Sequence, residues 1–491
     1  MLFNSLQFLV FFPVVVAIYF GLPYRWRVYF LLLASYYFYM CWRASYILLI
    51  LASTLIDYFC ALAMERQPDR QGRKKFLIIS LAANLGLLFS FKYFNFFVGS
   101  AEELLGVFNI FYHFPSLKVL LPVGISFYTF QTLSYSIEVY RGKIGAERNL
   151  SRFALYVAFF PQLVAGPIER ADRLLPQIGR DYDYDHNRTL DGLRQVIWGF
   201  FKKVVIADRL ALLVNHVYAD PSSQSSTALL LATYFFAFQI YCDFSGYSDI
   251  AIGTARILGI DLMKNFNRPY HSKSIPEFWS RWHISLSTWF RDYLYIPLGG
   301  NRVSKSRWYA NLMIVFLVSG LWHGANWTFV VWGMLHGFYM LIGTWTIKMR
   351  ETLSRAVGLA RLPAVHKTLQ MLITFHLVLL SWVFFRAQSI GSAMDILGRI
   401  CRFEGAGDFW TAITTQGKAA FMLGMGRYEL VVAVLSIVVM ELVHLLERRR
   451  ERVPRTREVP LWRRYVVSYV LIMIILVFGE FSSNEFIYFQ F

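Results

Sequence analysis

Charge is scarce in this sequence. Of its 491 residues only 16% are Asp, Glu, Lys or Arg, while 56% are hydrophobic. A water-soluble domain needs a polar exterior that this composition does not supply, so the soluble globular class is excluded. Acids are rarer still, 31 against 49 bases, for a net charge of +18. The bases fall in short runs between apolar segments, which is the pattern of loops facing anionic lipid headgroups rather than of a nucleic-acid binder. No nucleic-acid partner is expected. Cysteine is limited to Cys41, Cys60, Cys242 and Cys401, with no CxxC pair and no Cys/His metal spacing. No metal site is expected, and the cysteines read as small buried hydrophobes. The apolar stretch 6–22 lacks the basic flank and small-residue cleavage site of a leader, and another apolar segment follows almost at once. Internal repeats and low-complexity linkers are also missing.

What is present is apolar length. About 20 apolar residues cross a bilayer as a helix. By that criterion spans are predicted at 5–22, 28–42, 46–64, 76–98, 118–139, 193–217, 228–260, 309–322, 326–347, 368–386, 428–446 and 465–482. The stretches 150–166 and 278–298 are apolar but broken by Pro, Trp and charge, and are expected to be re-entrant or interfacial. The reading is an all-α integral membrane protein of ten to thirteen helices, a single domain over 1–491. Aromatics reach 18%, which suits a long lipid-facing perimeter with Trp and Tyr at both interfaces. Arg66, Arg70, Arg73, Lys74 and Lys75 mark one cytoplasmic loop, and the Arg run 448–464 marks another. The basic region 264–308 is placed on the same side. Both termini are then extracytoplasmic, and 388–426 is the expected outer loop.

Ionisable groups inside a membrane are costly and are functional candidates by default. One such block is Arg281-Trp282-His283-Ile284-Ser285, continuing to Arg302. The other is Ser319-Gly320-Leu321-Trp322-His323-Gly324-Ala325-Asn326-Trp327, where one apolar span ends and the next begins. Its glycines permit a broken helix and close approach of a substrate. A neutral imidazole is a natural general base for a hydroxyl nucleophile near pH 7, and His323 is the first candidate for that role. The competing reading is a packing histidine bonded to a carbonyl, and for His336 that reading is equally open. A third polar block, Tyr241 to Asp249, places Asp243 and Tyr247 on one helix face. Asp243 needs a cationic partner, expected from Arg256 or the Arg281 region. The runs 124–128 and 162–170 read as cavity lining. The tail 484–491 ends in Phe486, Tyr488, Phe489 and Phe491. It is either an interfacial anchor or an acyl relay, because a phenol ester keeps more transfer potential than an alkyl ester.

RWHISLSTWFRDYLYIPLGGNR at 281–302 and SGLWHGANWTFVVWGMLHG at 319–337 closely resemble the two most characteristic stretches of the membrane-bound O-acyltransferases. MLFNSLQFLVFFP and YCDFSGYSDIAIG are similar to the bacterial branch that includes alginate O-acetyltransferase, with the teichoic acid D-alanyl transfer protein a more compact relative. The resemblance runs from the first span to the last residues. It implies a ring of tilted helices with a thin central channel, His323 as the catalytic histidine, His283 as a second and more cytoplasmic one, and Tyr488 as acyl carrier. Arg281, Trp282, Trp322, Asn326, Asp243, Tyr247 and His336 are the expected lining. The implied donor is acetyl-CoA from the cytoplasm, with no bound cofactor. The implied partners are membrane lipids, an extracytoplasmic acyl-accepting esterase-fold protein and, through it, a polysaccharide. The location implied is the bacterial inner membrane. D-Alanyl transfer to teichoic acid is the rival within enzymes. A transporter of lipid-linked sugars is the rival outside them, but it would call for inverted repeats with matched broken helices.

Overall fold

The computed structural model describes residues 1–110, 112, 114–117, 121–402, 427–450, 461–481 and 486–487. Among these the regular elements are all helical. By contacts the chain divides into two compact units, one of residues 1–196 and 250–264, the other of residues 197–249 and 265–491.

The first unit begins with α1 (Leu6–Gly21), α2 (Tyr24–Met40), α3 (Ile47–Glu65) and α4 (Arg70–Leu88), which runs through a π-helical turn into α5 (Phe94–Val107). Ser5 and Asp69 cap α1 and α4 by accepting amide hydrogens from Phe8 and Gly72. Between α3, α4 and α6 (Ile125–Tyr140) the fully buried Asp57 is held by Ser80 (2.5 Å) and Asn84 (2.9 and 3.0 Å). The stretch 150–166 forms two short buried helices, α7 (Leu150–Ala158) and α8 (Phe160–Leu163), followed by α9 (Ala171–Ile178) and α10 (His186–Phe200). The runs expected to line a cavity are mostly buried. Tyr128 is 2% exposed, and Gln162 donates to the Tyr156 carbonyl at 2.8 Å. Glu169 is wholly buried and accepts the Met263 amide.

In the second unit α11 (Asp208–Ala219) follows a π-helical turn at Phe201–Ala207. This is part of the stretch 193–217 expected to be an apolar span, yet Lys202, Lys203, Asp208 and Arg209 are all buried there. They are tolerated because each is paired: Lys203 with Asp208 and Asp243, Lys202 with Asp249, Arg209 with Glu429. Helix α12 (Ser226–Ile257) is 32 residues long. Next come α13 (Ile275–Trp279), α14 (Ile284–Phe290), α15 (Lys305–His323), α16 (Trp327–Trp345), α17 (Ile347–Ala356), α18 (Pro363–Arg386), α19 (Ile390–Arg402), α20 (Arg427–Arg450) and α21 (Leu461–Phe478). The expected outer loop 388–426 therefore opens as a helix, because Ser389 starts it by accepting the Ala393 and Ser392 amides. Residues 403–426 lie outside the described residues.

Five described helices are long and apolar enough to cross a membrane, at Ala44–Glu65, Arg70–Val107, Ser226–Ile257, Pro363–Arg386 and Tyr428–Arg449. A sixth is obtained if α16 and α17, bent by 59° at their junction, count as one. That is fewer than the ten to thirteen expected. Hydropathy alone does not register where α1 and α6 stop at 16 residues, or where buried charge interrupts 193–217. Two of the four cysteines also depart from expectation: Cys60 and Cys242 are buried, Cys41 and Cys401 exposed.

Candidate active site

The two histidines of the sequence blocks, His283 and His323, are buried in the second unit, each placed by a different local device. His323 is the last residue of α15, 3% exposed. Its flanking glycines, expected to permit a broken helix and close approach of a substrate, admit the neighbouring helix. A methyl at Gly320 would strike the Phe329 carbonyl, one at Gly324 the Phe329 ring, and one at Gly333 the Phe316 carbonyl. Both helices carry the pattern Gly-x-x-His-Gly (320–324 and 333–337), so small residues four apart bring α15 and α16 into backbone contact and carry a histidine with them.

His283 is wholly buried and stands in the left-handed region (φ 43°, ψ 56°) just before α14. A side chain there costs energy that the surroundings must offset. Asn265 supplies the restraint: its carbonyl accepts the Ile284 amide (2.9 Å), and its Oδ1 accepts from the Ser285 amide (3.2 Å) and hydroxyl (2.7 Å). Arg281 adds to it, its carbonyl accepting the Asn267 amide at 2.9 Å while its guanidinium pairs with Glu277 at 2.7 Å.

The indole of Trp322 lies between the two imidazoles, its ring 5.8 Å from His283 and 5.0 Å from His323. From His323 ring contacts continue to Trp332 (4.9 Å), Trp382 (5.9 Å) and Trp282 (5.1 Å). They return through Phe266 (5.1 Å) and Phe244 (5.0 Å) to His283 at 4.6 Å. Eight rings thus close a circuit that contains both histidines. A lining of this kind excludes water. Phe244, Phe266, Trp332 and Trp382 were not singled out from the sequence, because aromatics are too common in this chain to stand out.

His336 is accounted for by hydrogen bonds. Trp279 Nε1–H donates to its Nδ1 (3.3 Å), and its Nε2 is 2.9 Å from Ser381 Oγ. That hydroxyl already donates to the Val378 carbonyl at 2.6 Å, so it accepts from Nε2–H. The imidazole is neutral with both nitrogens engaged, which is the packing role. Asn326 caps α16, accepting the Thr328 amide at 3.0 Å, and donates to the Gln388 carbonyl at 3.1 Å.

Asp243 does not pair with Arg256 or Arg281. Its partner is Lys203 at 2.7 Å, from a π-helical turn that no sequence periodicity announced. Arg256 instead faces Asp261 at 3.4 Å. The other oxygen of Asp243 accepts the backbone amide of Ile487 at 2.8 Å, and Phe486 packs on Tyr247 (4.8 Å) and Phe244 (5.7 Å). Upstream, Arg209 donates to the Phe478 carbonyl (2.6 Å) and the Glu480 amide to Val204 (2.8 Å). The described part of the tail is therefore seated: Phe486 and Ile487 are 1% and 2% exposed. Tyr488, Phe489 and Phe491 lie outside the described residues.

Several membrane-length helices, with a buried pair of imidazoles, mark a multi-pass membrane protein. The family model for MBOAT, the membrane-bound O-acyltransferase family, matches residues 143–385. The probable alginate O-acetylase AlgI of Pseudomonas aeruginosa is 41% identical over 440 residues, 89% of this chain and 81% of that protein. Its counterpart in Pseudomonas putida is 37% identical over 512 residues, covering both chains completely. The teichoic acid D-alanyltransferase of Streptococcus thermophilus is 33% identical over 285 residues, 54% of this chain and 68% of that protein. This chain belongs to the membrane-bound O-acyltransferase family and is an O-acyltransferase.

Proposed function

We propose that this enzyme passes an acetyl group from cytoplasmic acetyl-CoA across the inner membrane for O-acetylation of an extracytoplasmic polysaccharide, alginate or another exopolysaccharide. His323 is the general base: it removes the proton of the attacking hydroxyl as that oxygen adds to the thioester carbonyl, and the CoA thiolate leaves. Tyr488 is the first acceptor, and a partner of esterase fold takes the acetyl group from it. Basic residues in 264–308 attract the CoA phosphates. The termini are extracytoplasmic. The observation that carries this reading is the seated tail: Phe486, two residues before Tyr488, packs on Phe244, whose ring meets His283. Acetyl transfer is preferred to D-alanyl transfer because similarity to the acetylases extends over far more of the chain.

The test is capture of label from radiolabelled acetyl-CoA by purified protein in detergent. Labelling of the wild type, abolished in both His323→Ala and Tyr488→Phe, is the expected result. Label that persists in Tyr488→Phe but not in His323→Ala makes the tail a docking element only. Failure with acetyl-CoA but success with a D-alanyl carrier-protein thioester transfers the enzyme to the rival substrate class.

A further inference from the structure

We propose that His271, Glu441 and His444 form a binding site for one divalent transition metal, zinc first, that clamps the turn before the His283 segment onto α20. The carboxylate of Glu441 faces the two histidines with different oxygens: Oε2 lies 2.6 Å from His271 Nε2 and Oε1 3.4 Å from His444 Nδ1. One donor atom from each residue lies within 4.8 Å of the others. Around a tetrahedral zinc ion with bonds of about 2.0–2.2 Å, donors stand ~3.3 Å apart, so small side-chain adjustments close this set on one ion.

Three further features fit. Glu441 and His444 are three apart on a helix, the spacing that points a carboxylate and an imidazole to one side. The far nitrogen of His444 is held by the Tyr241 hydroxyl at 3.3 Å, the outer-shell bond that fixes a ligating imidazole's tautomer and orientation. The site also has access: the His271 and Glu441 side chains are 12% and 28% exposed, leaving room for a water as fourth ligand. The two-nitrogen, one-oxygen set suits Zn²⁺ and its neighbours and is poorly matched to Mg²⁺ or Ca²⁺, which prefer oxygen.

The site does not touch the eight-ring circuit directly, but Tyr241 connects them. Its ring meets Phe266 at 5.8 Å and Trp282 at 6.3 Å, while Tyr270, next to His271, meets Trp282 at 6.1 Å. No metal was expected, since the chain has no CxxC pair and no Cys/His metal spacing; His271 and Glu441 are 170 residues apart, and only folding joins them.

Tag-free protein in detergent, stripped with a chelator, is titrated with Co²⁺ and followed by its visible d–d absorption. The wild type is expected to take up one equivalent, displaced by Zn²⁺. His271→Ala, Glu441→Gln and His444→Ala should each lose stoichiometric uptake while keeping the wild-type gel-filtration profile. Tyr241→Phe should weaken binding about 10–100-fold, and His216→Ala, outside the cluster, should leave it unchanged. Uptake well below one equivalent in the wild type overturns the proposal and leaves a metal-free hydrogen-bonded tie. Full uptake in the three ligand variants overturns it equally. Metal stoichiometry does not depend on acyl transfer, so the two proposals fail separately.

Discussion

Among single residues, Asn265 shows how a catalytic candidate is held by a neighbour that does no chemistry. His283 adopts a left-handed backbone only because Asn265 takes the Ile284 amide on its carbonyl and both Ser285 donors on its side chain. Asn265→Ala removes the side-chain part, a loss comparable to an N-cap at about 1 kcal/mol. We expect a melting temperature lowered by a few degrees and acetyl-CoA turnover reduced about tenfold or more, whereas Asn265→Asp retains the acceptor oxygen and should restore much of it. Steady-state kinetics with thermal melts in detergent check both.

Glu169 supports a second prediction at this scale. Burial pushes its carboxyl from the ordinary 4.5 up to about 7, against the opposing Met263 amide and the Arg173 guanidinium at 3.8 Å. The folded state therefore keeps a proton between pH 4.5 and 7 that the unfolded chain releases. Its contribution to stability is complete below the unfolded value, is lost as pH rises toward 7, and is flat above. The total is at most about 3 kcal/mol. Melting temperatures from pH 5 to pH 7.5 should fall more steeply for wild type than for Glu169→Gln, and parallel curves would remove Glu169 as the cause.

At the scale of elements, the pair α15 and α16 sets the position of His323. Their backbones meet at Gly320 and Gly333, where a methyl group would run into the opposite helix. Gly333→Ala should cost about 1–3 kcal/mol by overpacking and displace His323, lowering turnover as well as melting temperature. Gly343, on α16 with nothing within 4 Å of an added methyl, is the matched control. Gly343→Ala should leave both readouts unchanged or raise stability slightly, since alanine is the better helix former. Equal damage from the two substitutions would show that helix propensity, not close approach, is at issue.

For the whole molecule the decisive property is orientation. In the proposed orientation, with the basic loops cytoplasmic, the start of the chain and the end of α2 lie outside. Cys41 follows α2 directly and is exposed. In cells carrying a Cys401→Ala variant, a membrane-impermeant maleimide added to spheroplasts should label Cys41 without permeabilisation. Labelling only after permeabilisation would invert the topology and with it the side from which the tail reaches its seat.

The sequence by itself determined the solvent, the helical class, the family and the two histidine blocks. Each of these is written in local composition and in contiguous motifs, and the hydrophobic effect acts on such runs wherever they lie. Tertiary structure decided the rest. It decided that Lys203 rather than Arg256 neutralises Asp243, that His336 is spent on Trp279 and Ser381, and that the glycines beside His323 receive a helix. It also seated the tail on Asp243 and joined His271 to Glu441. All of these are pairings between residues distant in the chain. A buried charge or polar group must find a partner, but the physical need does not say which one. Only the fold, by bringing candidates within about 3 Å, makes that choice.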